Sequence, residues 1–281
     1  MPRSGAVAES VRWQIASRCY RLTRIGFNFL TENTRLIVSI FNISSKSTQP
    51  KIYFNQNLMK AFVAGATGET GRRIVQELVK REIPVRAMVR DLAMARTILP
   101  AEVELVVGDV LNLDSITTAL GDSTVILCAT GAKPSLDPTG PYQVDYEGTK
   151  NLVNAAKSHN IEQFVFVSSL CVSKFFHPLN LFWLILWWKQ QAEQYLKDSG
   201  LNYTIVRPGG LKNEDNPNPV VMSGADTLFD GSIPRQKVAQ VCVESLTNPQ
   251  ARNKVLEIVS APTVLDRSQS RSVVYFHFTW Y

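Results

Sequence analysis

The sequence has few of the residues that bind metals or form disulfide bonds. It contains four cysteines and three histidines among 281 residues. Cys19, Cys128, Cys171 and Cys242 are far apart and form no C-x-x-C pair, and no two histidines have the spacing of metal ligands. A zinc or haem site is therefore not expected. Separated cysteines of this kind are typical of a reducing compartment.

Long apolar runs and a basic surface are also lacking. The longest apolar run, LFWLILWW (181–188), is too short to cross a bilayer, which needs about 20 residues, so we predict no transmembrane helix. The net charge is +6, but residues 1–60 contain nine Lys/Arg and two Glu, which leaves about −1 for the rest. Because the remainder has no basic stripe, nucleic-acid binding is not expected.

Residues 1–58 differ in composition from the rest of the chain. They are rich in Arg, Ser and Thr, poor in acids, and show little periodicity, which resembles a mitochondrial or plastid transit peptide. Alternatively they are a disordered tail, or an extension translated from too early a start codon, with Met59 as the true start. The expected location is the cytoplasm, or the stroma of a plastid or other organelle if the segment is a transit peptide.

From residue 59 to about 260, short apolar runs alternate with amphipathic segments. The runs lie at 61–65, 85–90, 103–109, 124–130, 164–169, 203–208 and 255–260, and helical spacing occurs at 72–82, 146–159 and 189–200. This alternation predicts a single α/β domain with a doubly wound parallel sheet. The tail 261–281 has alternating aromatics that could add an edge strand, and we assign it no function.

The first predicted strand leads into the glycine-rich sequence GATGETG and then into a helix. This stretch comprises Gly65, Ala66, Thr67, Gly68, Glu69, Thr70 and Gly71. Gly65 permits a tight turn, Gly68 lets a pyrophosphate approach the backbone, and Gly71 allows close packing of helix on strand. Helix N-terminal amides then face the phosphates. The context indicates a dinucleotide site of the Rossmann type.

The second predicted strand ends in MVRD and bears on which dinucleotide binds. An NAD site has an acid about 20 residues after the glycines, whereas Arg90 follows Gly71 here, with Asp91 behind it. A guanidinium can bond a 2′-phosphate in a bidentate manner. We therefore expect NADP(H) to be favoured over NAD(H), while Asp91 keeps NAD open.

The third and fourth predicted strands end in polar or small residues. After the third, Asp109 can accept from the adenine amine and Val110 can pack on the ring. After the fourth, Ala129, Thr130 and Gly131 leave room for ribose and pyrophosphate. Open α/β sheets bind ligands at the carboxyl ends of their strands, so both segments are predicted cofactor walls.

Taken together, these motifs resemble the atypical short-chain dehydrogenase/reductases of the NAD(P)H-binding kind. The resemblance covers about residues 60–260 and includes VDYEGTKNLVNAAK (144–157), FVFVSS (164–169) and YTIVRPGGL (203–211). It is strongest to a plant and cyanobacterial group that includes the NADP-binding component of the chloroplast import machinery. Flavin/biliverdin-IX-beta reductase is a more distant likeness.

The resemblance implies a catalytic constellation with one member missing. Ser168 or Ser169 matches the family's serine and Lys189 its lysine, while Ile185 stands where the tyrosine proton donor is expected. Lys189 can still bond the nicotinamide ribose. Pro208 and Gly209 are expected to shape the wall beside the nicotinamide, and the polar loop 212–235 to cover a substrate pocket.

Two functions remain open, with a third behind them. The first is an NADPH-dependent oxidoreductase whose flavin or quinone acceptor takes its proton from solvent. The second is a non-catalytic NADP(H)-binding module that docks to a protein or membrane partner through the aromatics of 181–188, although these residues could instead begin a buried helix. Nucleotide-sugar epimerisation ranks third, because it also depends on the tyrosine.

Overall fold

The apolar runs of the sequence form the strands of a central sheet. The computed structural model describes residues 59–133 and 135–261 and the backbone of 274–276, so the predictions made for 1–58 and for most of the tail lie outside the described residues. The described strands are β1 (Ala61–Ala64), β2 (Val85–Val89), β3 (Glu104–Val107), β4 (Val125–Cys128), β5 (Gln163–Val167), β6 (Tyr203–Pro208), β7 (Gly210–Lys212), β8 (Val220–Ser223), β9 (Ser232–Pro234), β10 (Lys254–Ser260) and β11 (Val274–Phe276).

The helices alternate with the strands in chain order. They are α1 (Glu69–Lys80), α2 (Leu92–Ile98), α3 (Leu113–Leu120), α4 (Gly148–Ser158), α5 (Ile185–Lys197) and α6 (Arg235–Thr247). A π-helical segment, Pro141–Glu147, leads directly into α4, and short 3-10 turns lie at Pro178–Leu181 and Pro249–Ala251. None of the helices in the described ranges is both long and apolar enough to cross a membrane.

The strand order identifies the end of the sheet at which a ligand would bind. The nine strands of the described sheet run β11-β8-β10-β6-β5-β4-β1-β2-β3, and all pairs from β3 to β10 are parallel. The antiparallel strands β8 and β11 extend it beyond β10. The order reverses between β1 and β4, which opens a crevice at their carboxyl ends. The predicted doubly wound α/β fold is confirmed.

Alternate residues of each buried strand pack on opposite faces of the sheet. On one face Val63 and Leu127 contact Ile74 of α1 and Val238 of α6. On the other face, a second cluster joins the sheet to α3, α4 and α5; it contains Phe62, Ile126, Phe164, Phe166, Ile116, Leu152 and Leu196. Because both faces are covered, the strands are apolar at nearly every position.

The structure differs from the sequence prediction in several places, and helices α2 and α3 were not predicted. Helix α5 begins at Ile185 rather than Lys189, so the aromatic run supplies its first turn. Strands β8 and β9 lie within 212–235, which was predicted as loop. Helix α6 was missed although Val238, Val241, Cys242 and Leu246 have helical spacing and are buried, because Gln and Lys dilute the pattern.

A buried group of charges connects β6, β10 and α5. Arg207 is 3% exposed, and its guanidinium donates to Glu193 at 2.7 and 2.9 Å and to Glu257 at 3.1 Å. Burial alone would lower the pKa of Arg207, but the hydrogen bonds and charges of Glu193 and Glu257 outweigh it and raise the pKa. Glu257 also accepts the backbone amides of 226, 227 and 228, so the network fixes the loop after β8.

We predict that Arg207→Ala lowers the free energy of unfolding by about 3–5 kcal/mol, because it leaves buried carboxylates without their partner. Urea unfolding followed by circular dichroism measures the change. The matched control is Arg96→Ala, which removes an exposed arginine of α2 and should alter stability by less than about 0.5 kcal/mol. Equal effects of the two substitutions would contradict the role given to the network.

Candidate dinucleotide site

The chain turns sharply at the carboxyl end of β1. Gly65 has φ +79°, a conformation that side chains disfavour, and a Cβ there would lie 2.6 Å from the backbone oxygen of Ala129. The turn after β1 and the end of β4 are therefore in direct backbone contact. Only glycine allows this approach, which closes the base of the crevice.

The start of α1 packs equally tightly on that turn. The Gly68 amide donates to the Gly65 carbonyl at 3.0 Å, and a Cβ on Gly71 would lie 2.0 Å from that same oxygen. Gly68 precedes α1 and provides no side-chain cap, so the first amides of the helix, at Glu69, Thr70 and Gly71, have no intrahelical acceptor. Such amides and the helix dipole favour an anion.

The side chains around the first turn of α1 add positive charge. Glu69 accepts from Arg72 at 2.7 Å and from Arg73 at 2.8 Å, and the hydrogen bond from Arg73 lowers the pKa of Glu69. Its carboxylate is thus held by two arginines at the point where a phosphate would approach. Ala66 is buried, whereas Thr67 and Thr70 are half-buried. The arginines escaped sequence reasoning because they were assigned only to the helix.

Arg90 and Asp91 lie at the end of β2 but differ in their contacts. The pairing of Ala64 with Met88 places Arg90 at the same end of the sheet as the glycine turn. Arg90 is exposed and has no hydrogen bond or ion pair with any described residue. Asp91 caps α2, because its Oδ1 accepts the Met94 amide at 3.0 Å. The guanidinium is available to a ligand, and the carboxylate is already engaged.

The ends of β3 and β4 form adjoining turns. Asp109 is half-buried and its Oδ1 accepts the Leu111 amide at 2.9 Å, which fixes the turn after β3. Val110 contacts α4, since a Cβ on Gly148 would lie 2.8 Å from its methyl group. After β4, Thr130 Oγ1 lies 3.2 Å from the buried Sγ of Cys128. Burial raises the pKa of that thiol, which therefore stays protonated at neutral pH.

Lys189 forms an ion pair that sequence reasoning missed. Its Nζ lies 2.8 Å from Oδ1 of Asp145, which is 1% exposed. Oδ2 of Asp145 accepts the Ala132 amide at 3.1 Å, and a Cβ on Gly131 would lie 3.6 Å from Oδ1. The pair thus brings α5 to the end of β4. One feature of the sequence pointed to a buried Asp145: it lies four residues from both Pro141 and Thr149, and all three residues are buried on one helical face.

The two serines after β5 have different surroundings. Ser168 is 5% exposed, its amide donates to the Val206 carbonyl, and its Oγ has no partner among the described residues. Ser169 is half-buried. An unpartnered buried hydroxyl is costly, so Ser168 Oγ is a candidate for bonding a ligand.

The end of β6 lies directly beside these serines, since the Ser168 amide donates to the Val206 carbonyl. The carbonyl of Pro208 accepts the Leu170 amide at 3.0 Å, and the Gly209 amide donates to Ile258 at 2.9 Å. A Cβ on Gly209 would lie 2.6 Å from the backbone oxygen of Gly231, so the loop after β8 closes onto this point. The sequence predicted that Pro208 and Gly209 shape a wall of the site through their backbone, and the contacts seen here are made by backbone atoms.

The first turn of α5 carries Ile185 and Lys189 one helical turn apart. Ile185 is half-buried and packs against a small cluster that includes Leu170 and Leu186. The aromatics of 181–188 divide into two sets. Phe182 and Trp183 are 66% and 44% exposed, whereas Trp187 and Trp188 are half-buried and pack against the rings of Phe175, Tyr142 and Tyr146.

Comparisons with known proteins agree with this geometry. A family model described as NAD(P)H-binding matches residues 65–249. An uncharacterized chloroplastic protein of Arabidopsis thaliana is 46% identical over 74% of this chain and 79% of its own. The chloroplastic protein TIC 62 of the same plant is 41% identical over 72% of this chain but only 36% of its own length.

A solved structure supports the same fold. It comes from Bacillus halodurans, is of the NAD-dependent epimerase/dehydratase type by its name, and is 28% identical. The superposition gives a TM-score of 0.66 and covers 73% of this chain and 95% of that one. The family assignment therefore rests on sequence and on topology together.

We predict that Gly71→Ala weakens dinucleotide binding about tenfold or more and lowers the free energy of unfolding by about 1–3 kcal/mol, because the added Cβ forces α1 away from the turn. Fluorescence titration with NADPH and thermal unfolding measure the two effects. Gly224→Ala is the matched control, since a Cβ there meets nothing within 4 Å. Unchanged binding by Gly71→Ala would contradict the proposed seat of the pyrophosphate.

Proposed function

Because the chain belongs to the NAD(P)H-binding family of atypical short-chain dehydrogenase/reductases, we propose that it binds NADP(H) in the crevice between β1 and β4 and uses it to reduce a flavin- or quinone-type acceptor. The observation that carries this proposal is a crevice built for a dinucleotide beside an isoleucine in the place of the proton donor.

The glycine turn fits the pyrophosphate. A Cβ at Gly65 or Gly71 would clash with neighbouring backbone and displace the turn, and the free amides of α1 supply donors for a phosphate. We assign Ala66, Thr67, Glu69 and Thr70 to the same cradle. Arg72 and Arg73 offset the Glu69 carboxylate there.

The adenosine half would lie over the ends of β2 and β3. Asp109 and Val110 line the adenine side, and Arg90 takes the 2′-phosphate. In an NAD site, an acidic side chain at this position would bond the ribose. Here the Asp91 carboxylate already accepts the Met94 amide, which favours NADP over NAD. The unpartnered Arg90 supports the same choice.

The nicotinamide half would lie over the ends of β4, β5 and β6. Ala129, Thr130 and Gly131 leave space for its ribose, whose hydroxyls Lys189 and Ser168 are placed to bond, with Ser169 beside them. Asp145 holds the lysine in position through the 2.8 Å ion pair. Pro208 and Gly209 form the adjoining wall through their backbone.

The chemistry follows from Ile185. When bound, NADPH supplies a hydride. The side chain of Ile185 has no proton to give, so an acceptor whose reduced form is protonated by water suits this site better than a carbonyl that needs a donor in place. The balanced reaction takes one hydride and one solvent proton to convert a quinone to a quinol. Epimerisation, which depends on the same missing tyrosine, is disfavoured.

A second candidate is a non-catalytic module that reports NADP(H) occupancy to a partner. The exposure of Phe182 and Trp183 favours it, because large apolar side chains on a surface commonly mark contacts.

For location we propose the plastid: residues 1–58 have the composition of a transit peptide, and the similar plant proteins are chloroplastic by name. Import of the full chain into isolated chloroplasts, with cleavage before Met59, tests this location.

We predict that Arg90→Ala weakens NADPH binding about 10–100-fold and leaves NADH binding unchanged, because it removes a charge-assisted bond worth about 1.5–3 kcal/mol. Parallel fluorescence titrations with both nucleotides measure this. Arg96→Ala is the control, and Asp91→Asn keeps the cap while removing the charge. A selective loss of NADH affinity in Asp91→Asn would show that Asp91, not Arg90, reads the ribose.

We predict that the wild-type chain oxidises NADPH with a flavin or a simple quinone and not with a carbonyl acceptor. Lys189→Met should raise KM for NADPH about tenfold, since it removes a ribose contact but no proton donor. Absorbance at the nicotinamide band measures turnover. Ile185→Tyr tests the missing donor, with Ile185→Val as its control. NADPH binding without turnover on any of these acceptors would favour the second candidate.

A further inference from the structure

A short exposed segment of the chain carries an unusual density of large apolar side chains. We call residues 175–184 the aromatic loop. Six of its side chains are at least 44% exposed, and Phe176 and Leu181 are 96% and 83% exposed. The six are Phe175, Phe176, Leu179, Leu181, Phe182 and Trp183. Such a cluster has a free-energy cost in water and commonly marks a contact surface.

The aromatic loop is held in its conformation by a buried side chain. Asn180 is 8% exposed; its Nδ2 donates to the Phe175 carbonyl at 2.8 Å, and its Oδ1 accepts the Leu186 and Trp187 amides at 2.9 and 3.2 Å. These bonds connect both ends of the loop to the start of α5. The hydrogen bonds of Asn180 therefore hold the loop in the conformation that exposes its apolar side chains.

The backbone of the loop is also strained where the aromatics project. Trp183 and its neighbour Leu184 have φ of +56° and +58°, in the left-handed region that favours glycine. Trp183 Nε1 donates to the Ser135 carbonyl at 3.3 Å, which ties the loop to the segment after β4. Strain of this kind persists only where surrounding contacts hold it, and it clusters at functional positions.

The charges around the loop match a negatively charged surface. No Asp or Glu occurs between residues 171 and 192. Lys174 directly precedes the loop and is exposed, with its Nζ 3.7 Å from the centre of the Phe229 ring, and Lys133 is exposed two residues before Ser135, which the loop contacts. Of the nearby acids, Asp226 accepts from Ser173 and is paired with Arg207, whereas Asp137 accepts only from Thr139 and keeps its charge. A lysine-flanked projection with Phe, Leu and Trp at its tip has the composition of an element that inserts at a bilayer interface.

We propose that the aromatic loop docks the protein onto a bilayer surface containing anionic lipids, with Phe176, Leu181 and Phe182 entering the interface and Lys133 and Lys174 facing the headgroups. The inference goes beyond dinucleotide binding and does not depend on turnover. Because the loop joins the Ser168–Ser169 turn to the helix of Lys189, docking would turn the nicotinamide side of the crevice towards the membrane.

Vesicle flotation of the full chain tests the proposal. The vesicles are phosphatidylcholine alone or phosphatidylcholine with about 30% phosphatidylglycerol, at about 0.1 and 0.5 M KCl. Phe176→Ser/Phe182→Ser removes two loop side chains, and Met94→Ser/Val107→Ser, which are 49% and 60% exposed elsewhere, is the matched control. The basic extension 1–60 is common to all variants, and its attraction is screened at the higher salt.

We expect the wild type and the control to float with the anionic vesicles at both salt concentrations. The partition coefficient of the loop variant should be about tenfold or more lower than that of the wild type. Lys133→Ala/Lys174→Ala should bind vesicles with and without phosphatidylglycerol equally, because it lacks the attraction to the anionic headgroups. Equal flotation of loop variant and control at high salt would overturn the proposal. So would a dimer, detected by size exclusion, that the loop variant abolishes without any vesicle binding. NADPH titration on the same samples reports separately on the proposed function.

Discussion

The close contact of three backbone segments is the constraint on which the rest of the site depends. The turn after β1, the first turn of α1 and the end of β4 meet around the carbonyl of Gly65, with no room for a Cβ at Gly65 or Gly71. This contact sets the depth of the crevice and directs the free amides of α1 into it. Arg90 and Asp109 lie at the same end of the sheet as this contact, because β2 and β3 run parallel to β1 and each residue follows the carboxyl end of its strand.

Buried ion pairs fix the positions of helix α5 and of the loop after β8, which are not part of the sheet. Asp145 draws Lys189 of α5 towards the end of β4, and Glu257 holds the loop after β8 through three amides. Ionic contacts in an apolar interior are a poor source of stability, but they fix one geometry because an unpaired buried charge is costly. The same logic explains why Glu193 and Glu257 are buried as a pair around Arg207.

Most of the fold could be predicted from sequence, and less of the site. The parallel core followed from strands apolar at nearly every position, and the glycine turn from its place between strand and helix. The partners of Lys189 and Arg207 could not be found in this way, because they lie 14 to 50 residues away in the sequence and their pairing depends on how helices cross the sheet. Helix α5 begins earlier than predicted for a similar reason: the packing of Leu186 and the hydrogen bond that its amide donates to Asn180 outweigh the weak local signal.

The outer strand β3 has a consequence for how copies of this chain meet. It is only four residues long, and its first residue, Glu104, binds Lys60 and Arg86. A short edge with charged groups at its start presents few free backbone donors and acceptors in a row, so it is a poor template for strand addition. The polypeptide is thereby protected from edge-to-edge pairing of its copies on that side.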